Sequence, residues 1–281
     1  MGFLFIAAII PVIFLCSYIY KKDLHREPKK VLLSLFIRGA IACIPIIILE
    51  NFAGDIFDTE DTTLPFMEIF FNVFFGVALI EEGFKWIVTK RHGYKNREFD
   101  EIYDIIVYAV FASLGFACIE NIGYVFDSGL GVAIMRALVS IPGHTCFGIL
   151  MGYYMSKAKV NQMTGAFLKS KKNMFLSLLI PTLFHTLYDS FLSTDDDISF
   201  ILFIVFDIIM VIYCFGIVKK MSKIQDNVTT GIEKGNLKKS KEGLLDIKKK
   251  HKKYEDVKFC PICGRNVEKV KFCTGCGYKV K

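Results

Sequence analysis

Seven apolar runs, each close to the ~20 residues that a helix needs to cross a bilayer, occupy residues 2–20, 31–49, 65–89, 103–126, 133–156, 173–192 and 198–218. Short loops separate them, and a polar tail begins at 219. The pattern predicts an all-α, polytopic membrane protein with about seven transmembrane helices. Its expected divisions are a membrane domain over 1–218, a basic linker over 219–258 and a small C-terminal zinc ribbon over 259–281. The first run ends on Lys21 and Lys22 and has neither a basic start nor a small-residue cleavage site, so it reads as a retained helix.

Composition supports the bilayer as solvent, since 53% of the residues are hydrophobic and 14% aromatic. The loops then set an orientation, because Lys and Arg in short loops hold them in the cytosol. Loops 21–30, 90–102 and 157–172 are rich in Lys and Arg, whereas loops 50–64, 127–132 and 193–197 contain none. Alternation through seven spans places the N-terminus outside and the C-terminus in the cytosol. The net charge of +7 is therefore a matter of topology and tail, not a nucleic-acid footprint. Segment 219–258 alone holds 13 Lys against 6 Asp and Glu, a charge suited to anionic headgroups of the lipid bilayer or to a solvated linker.

The nine cysteines divide by spacing. Cys16, Cys43, Cys118, Cys146 and Cys214 stand singly in apolar helices, while Cys260, Cys263, Cys273 and Cys276 form two C-x2-C pairs, each followed by a glycine, Gly264 or Gly277. Four thiolates at that spacing fit one tetrahedral ion, and a reducing cytosol favours metal over disulfides. We expect a structural Zn here, contributing most of the folding free energy of so small a segment, and offering a surface to a cytosolic partner.

Ionisable side chains inside the spans carry the chemical signal, because each costs about 2.5–3.5 kcal/mol to insert near a helix centre. The third run holds Glu81, Glu82 and Lys85, the fourth Glu120 and Asn121, the fifth His144, and the sixth His185 and Asp189. Lys85 stands four residues after Glu81 and three after Glu82, so it can neutralise one carboxylate and leave the other free. Asp189 stands one helical turn after His185 and can orient and charge-support the imidazole. His144, Gly148 and Gly152 share a helix face, as close packing in membranes requires. A carboxylate in a low-dielectric pocket can take a proton from water and pass it to a leaving amine, with imidazoles positioning the water or steadying an oxyanion. The motifs of serine, aspartyl and zincin proteases are absent. A bland reading stands beside each of these residues: a register-fixing ion pair for Glu82 and Lys85, an interfacial position for Glu120, a hydrogen-bonded packing role for either histidine. Arg136 reads as a snorkelling anchor, Asp104 as a helix start, and Asp207 has no assigned part.

Five segments together resemble the PrsW family of intramembrane proteases, whose site design is related to that of the CAAX prenyl endopeptidases. They are KKDLHREP at 21–28, IEEGFKW at 80–86, REFDEIYDIIVYAVFASLGFACIENIGYVF at 97–126, RALVSIPGHTCFG at 136–148 and FHTLYDSF at 184–191. The likeness runs over roughly residues 5–192 in order, and departs from the family where Ile105 and Ala109 replace usual glycines. It implies catalytic roles for Glu81, Glu82, Lys85, Glu120, Asn121, His144, His185 and Asp189. It also implies a membrane-anchored substrate, an anti-sigma factor cut at site one.

The combined expectation is an intramembrane hydrolase in which Glu81 or Glu82 activates water and Lys85 tunes the pair. His144, His185 and Asn121 would steady the oxyanion, and Glu120 would serve as a second acid or water positioner. By residue type, His144, His185 and a glutamate holding a catalytic metal is the alternative site. From other classes come a non-catalytic scaffold or sensor working through its zinc ribbon, and a proton-coupled transporter, for which internal repeats are lacking.

Overall fold

The computed structural model describes residues 2–251 except Thr59, Glu60, Arg97, Glu98, Asp100, Thr164 and Asp195; the side chains of Phe3, Met163 and 225–251 are not described. The expected zinc ribbon, with Cys260, Cys263, Cys273 and Cys276, lies outside the described residues. Helices α1 (Gly2–Lys22), α2 (Lys29–Gly54), α3 (Phe66–Val73), α4 (Leu79–Val88), α5 (Asp104–Ser128), α6 (Leu130–Leu138), α7 (Ser140–Met163), α8 (Phe167–Ser193) and α9 (Asp197–His251) follow in order. Strands are absent among the described residues. Backbone amides buried in hydrocarbon must bond internally, and helices satisfy that residue by residue.

Six stretches are long and apolar enough to cross a membrane: Leu4–Lys22, Lys29–Gly54, Asp104–Ser128, Leu130–Gln162, Phe167–Ser193 and Asp197–Ile224. The remaining predicted span, 65–89, is built differently. Its two helices α3 and α4 flank a π-helical turn at Phe74–Ala78, and a second π turn, Thr89–Tyr94, prolongs α4. The Leu79 amide accordingly bonds to Phe74 O, five residues back. Wide turns of this kind interrupt helices at functional sites, and this one immediately precedes Glu81. The fifth predicted span is also two pieces, since Val139 leaves helical geometry between α6 and α7. Gly129, at φ +82°, turns the chain sharply from α5 into α6, a conformation that favours glycine.

Helix α5 is the centre of the bundle: 78% of its most apolar window is buried, against 22% for α1 and 28% for α9. Glycines let its neighbours close in. A Cβ on Gly115 would fall 2.0 Å from Phe36 O of α2, and one on Gly152 of α7 would fall 2.5 Å from Ile106 Cα of α5. The small-residue face predicted on α7 is thus used against α5. Large side chains on α1, α2 and α9, such as Phe14, Ile44, Ile48 and Ile209, point outward as a lipid-facing surface demands.

Candidate active site

The π turn and the short α4 carry Glu81, Glu82 and Lys85 into the middle of the bundle, where Lys85 and Glu82 have no exposed surface and Glu81 retains 5%. Lys85 Nζ lies 2.8 Å from Glu81 Oε2, 2.8 Å from Glu82 Oε1 and 3.2 Å from His144 Nδ1. An ammonium has three protons and no acceptor, and here each proton has a partner. The Phe116 ring covers the same ammonium at 4.2 Å. Because Lys85 donates to Nδ1, the proton of His144 belongs on Nε2, which lies 2.8 Å from Glu120 Oε2.

His185 meets carboxylates on both sides: Nδ1 is 3.2 Å from Glu82 Oε1, and Nε2 is 3.0 Å from Asp189 Oδ2. Two flanking acceptors are the surroundings of a doubly protonated ring. Its face stacks on Phe147 at 4.6 Å, and it stands nearly perpendicular to His144 with centroids 5.6 Å apart. The helical spacing of His185 and Asp189 noticed in sequence therefore becomes a contact, as do both spacings that end at Lys85.

Glu81, Glu120, His144, His185 and Asp189 line one cavity of about 1310 Å³. Glu82 and Lys85 do not line it; they stand behind it. Glu81 Oε2 is pinned by Lys85, while Oε1 has no protein partner among the described residues and is not sealed from the cavity. Glu82 is the reverse case, with Oε1 shared by Lys85 and His185 and Oε2 enclosed without a hydrogen bond.

Asn121 is the predicted residue that the structure turns elsewhere. Its Nδ2 donates to Ala8 O at 2.8 Å and its Oδ1 accepts from Arg136 Nε at 3.0 Å, so its amide ties α5 to α1 and α6. Arg136, read from sequence as a snorkelling anchor, instead reaches inward. Its Nη2 lies 3.0 Å from Glu120 Oε2 and its guanidinium stacks over Tyr124 at 4.1 Å. One oxygen of Glu120 thereby joins Arg136 to His144. Nothing periodic announces this contact, because it depends on the break at Gly129 that swings α6 back over α5.

The arrangement also tests the metal alternative. Glu81, Glu82 and His144 bring two carboxylate oxygens and an imidazole nitrogen within 4.8 Å of one another, the residue types of a zinc site. The ammonium of Lys85 already sits among those atoms at hydrogen-bonding distance from each. The donor set fits a metal by residue type and not by arrangement.

Comparison with known proteins bears on the same region. The family model described as "PrsW family intramembrane metalloprotease" matches residues 27–217. The Protease PrsW of Oceanobacillus iheyensis is 40% identical over 196 residues, which is 70% of this chain and 86% of that protein. Those of Clostridioides difficile and Bacillus subtilis are 38% and 35% identical, covering 74% and 66% of this chain and 86% and 81% of theirs. No solved structure matches. A family match over most of the membrane bundle, with its buried carboxylates and imidazoles, makes the chain a member of the PrsW family of intramembrane proteases and a multi-pass membrane peptidase.

Proposed function

We propose that the protein cuts a membrane-anchored protein by glutamate-activated water, with Glu81 as the base. The observation that carries this is the asymmetry of Glu81: one oxygen held by Lys85, the other open to the cavity. Four carboxylates, Glu81, Glu82, Glu120 and Asp189, are in ion-pair contact with only three cations, Lys85, Arg136 and doubly protonated His185, so one of the four has no cation of its own. Glu81 Oε1 takes a proton from a cavity water as the water oxygen attacks the peptide carbonyl carbon. The developing oxyanion is offset by the fixed charges of His185 and Lys85. The proton held by Glu81 passes to the leaving amine, and the C–N bond breaks. Glu82 holds Lys85 and His185 in place. Asn121 and Arg136 hold the Glu120–His144 pair, so Asn121 serves by position.

The family's name implies a metal, but the ammonium of Lys85 stands where the nearest donor set would bind one. The best-supported substrate class is a single-span regulatory protein, in line with the anti-sigma factor that the family resemblance implies. We further read the basic loops as cytosolic, the open end of the cavity as external, and Cys260, Cys263, Cys273 and Cys276 as a structural zinc site that engages a cytosolic partner.

The test is cleavage of a single-span membrane substrate in cells by the wild type and by Glu81→Gln, Glu82→Gln and His185→Ala variants, each normalised to membrane abundance. Cleavage that disappears with Glu81→Gln at normal abundance supports the reading. Unchanged cleavage in all three variants overturns it in favour of a scaffold.

A further inference from the structure

The catalytic residues occupy only one part of the cavity. From Glu81, His144 and His185 its wall continues to the C-terminal end of α2, where Glu50, Asp55 and Asp58 line it, and to Asp127 at the end of α5. Arg136 is the only Lys or Arg among the described lining residues, and it is already bound to Glu120. The volume, about 1310 Å³, exceeds the roughly 300–1,000 Å³ of ordinary small-molecule pockets and suits an extended peptide segment.

Glu50 is the distinctive group in that wall. It sits on α2 within electrostatic reach of Glu81, Glu120, Lys85 and His185. Its Oε1 is sealed from solvent and accepts no hydrogen bond from any described residue. Glu120 and Asp189 lie in the same cavity and each has a cationic partner in contact; Glu50 touches none among the described residues. Its other oxygen, Oε2, is not sealed and has no hydrogen bond among the described residues, so the carboxylate can be approached from the cavity, and a charged donor is its strongest partner.

We propose that Glu50 is a specificity-determining residue that receives a Lys or Arg side chain of the substrate. That side chain lies a few residues from the scissile bond, on the side toward the open end of the cavity. The ammonium or guanidinium meets the open oxygen, Glu50 Oε2, and Asp55 and Asp127 add to the attraction along the approach. The peptide bond itself is presented to Glu81, so Glu50 selects without taking part in proton transfer.

The proposal rests on the protease reading, and one experiment separates the two. A single-span reporter library with randomised residues flanking the span is expressed with the wild type, Glu50→Gln, Glu50→Lys and the Glu81→Gln control, and cleaved members are identified by sequencing. Cleavage above the Glu81→Gln background tests the protease reading by itself. The Glu50 proposal expects the wild type to enrich Lys or Arg near the cut by about tenfold. Glu50→Gln should flatten that preference while still cleaving, and Glu50→Lys should shift it to Asp or Glu. The same profile in wild type and Glu50→Gln overturns the proposal. So does loss of all cleavage by Glu50→Gln at normal membrane abundance, which would move Glu50 into the chemistry.

Discussion

Helix α5 joins two buried polar clusters of opposite character. Near its N-terminus, Asp23, Glu27 and Asp104 are 2%, 4% and 0% exposed. Asp23 accepts from the Glu27 amide at 3.2 Å, Asp104 accepts from the Glu101 amide at 2.7 Å, and the Tyr108 hydroxyl donates to Glu27. Toward its other end, Glu81, Glu82 and Lys85 are buried as deeply, yet their cluster opens through Glu81, His144 and His185 into a large cavity. Burial and charge are thus shared by both clusters. Access for water and a peptide is what differs, and the first cluster, part of it in the sequence segment KKDLHREP, lines no part of that cavity. The bonds near Asp104 tie the α1–α2 loop to the start of α5, a structural task. Its assignment from sequence as a helix start agrees with the first residue of α5.

The comparison breaks most sharply at Glu81. Glu81→Gln keeps an acceptor for Lys85 and removes the base, so per-molecule cleavage should fall about 10²–10⁴-fold with membrane abundance unchanged. Loss of abundance in step with activity would make Glu81 a structural residue like Glu27. Arg136→Gln should have the next largest effect. It removes a cation from the carboxylate that holds His144, and one hydrogen bond between charged groups, about 1.5–3 kcal/mol, corresponds to about 10–100-fold in rate. Arg136→Lys should recover part of the rate, because the ammonium can still reach Glu120. Equal loss in both variants would tie Arg136 to packing over Tyr124 instead.

The other cluster should answer in stability alone. Tyr108→Phe removes one hydrogen bond to a buried carboxylate, about 1.5–3 kcal/mol, and should lower the unfolding midpoint in detergent. The rate per folded molecule should stay at the wild-type value. A changed rate at full folding would mean that the two clusters are coupled through α5.

How much of this was legible beforehand follows the same division. Seven apolar runs are visible because a bilayer demands about 20 consecutive apolar residues, and the insertion cost of Glu81, Glu120, His144 and His185 marks them without any knowledge of neighbours. Helical spacing also gives contacts within one helix, such as His185 with Asp189. It cannot give contacts between helices that depend on a local break. Arg136 reaches Glu120 only because the chain reverses at Gly129, and Glu81 and Glu82 differ in access because a π turn sets their rotation about the axis. Glu50 stands at the end of an apolar run, where a carboxylate reads as interfacial, and only the shape of the cavity sets it apart.

The smallest expected effect on cleavage is that of removing metal. If Lys85 is the cation of the site, cleavage should persist after exhaustive chelation, and Lys85→Met should lower it without any gain in metal content. If the tail holds zinc as proposed, Cys260→Ser with Cys263→Ser should remove that ion and about 10–16 kcal/mol of the folding free energy of the segment, leaving Glu81-dependent cleavage at its wild-type rate. Paired measurements of metal content and cleavage on these variants distinguish the two sites. Activity lost on chelation and restored by zinc in the double-cysteine variant would place the metal among Glu81, Glu82 and His144. Lys85 would then have to leave its present position for the reaction to proceed.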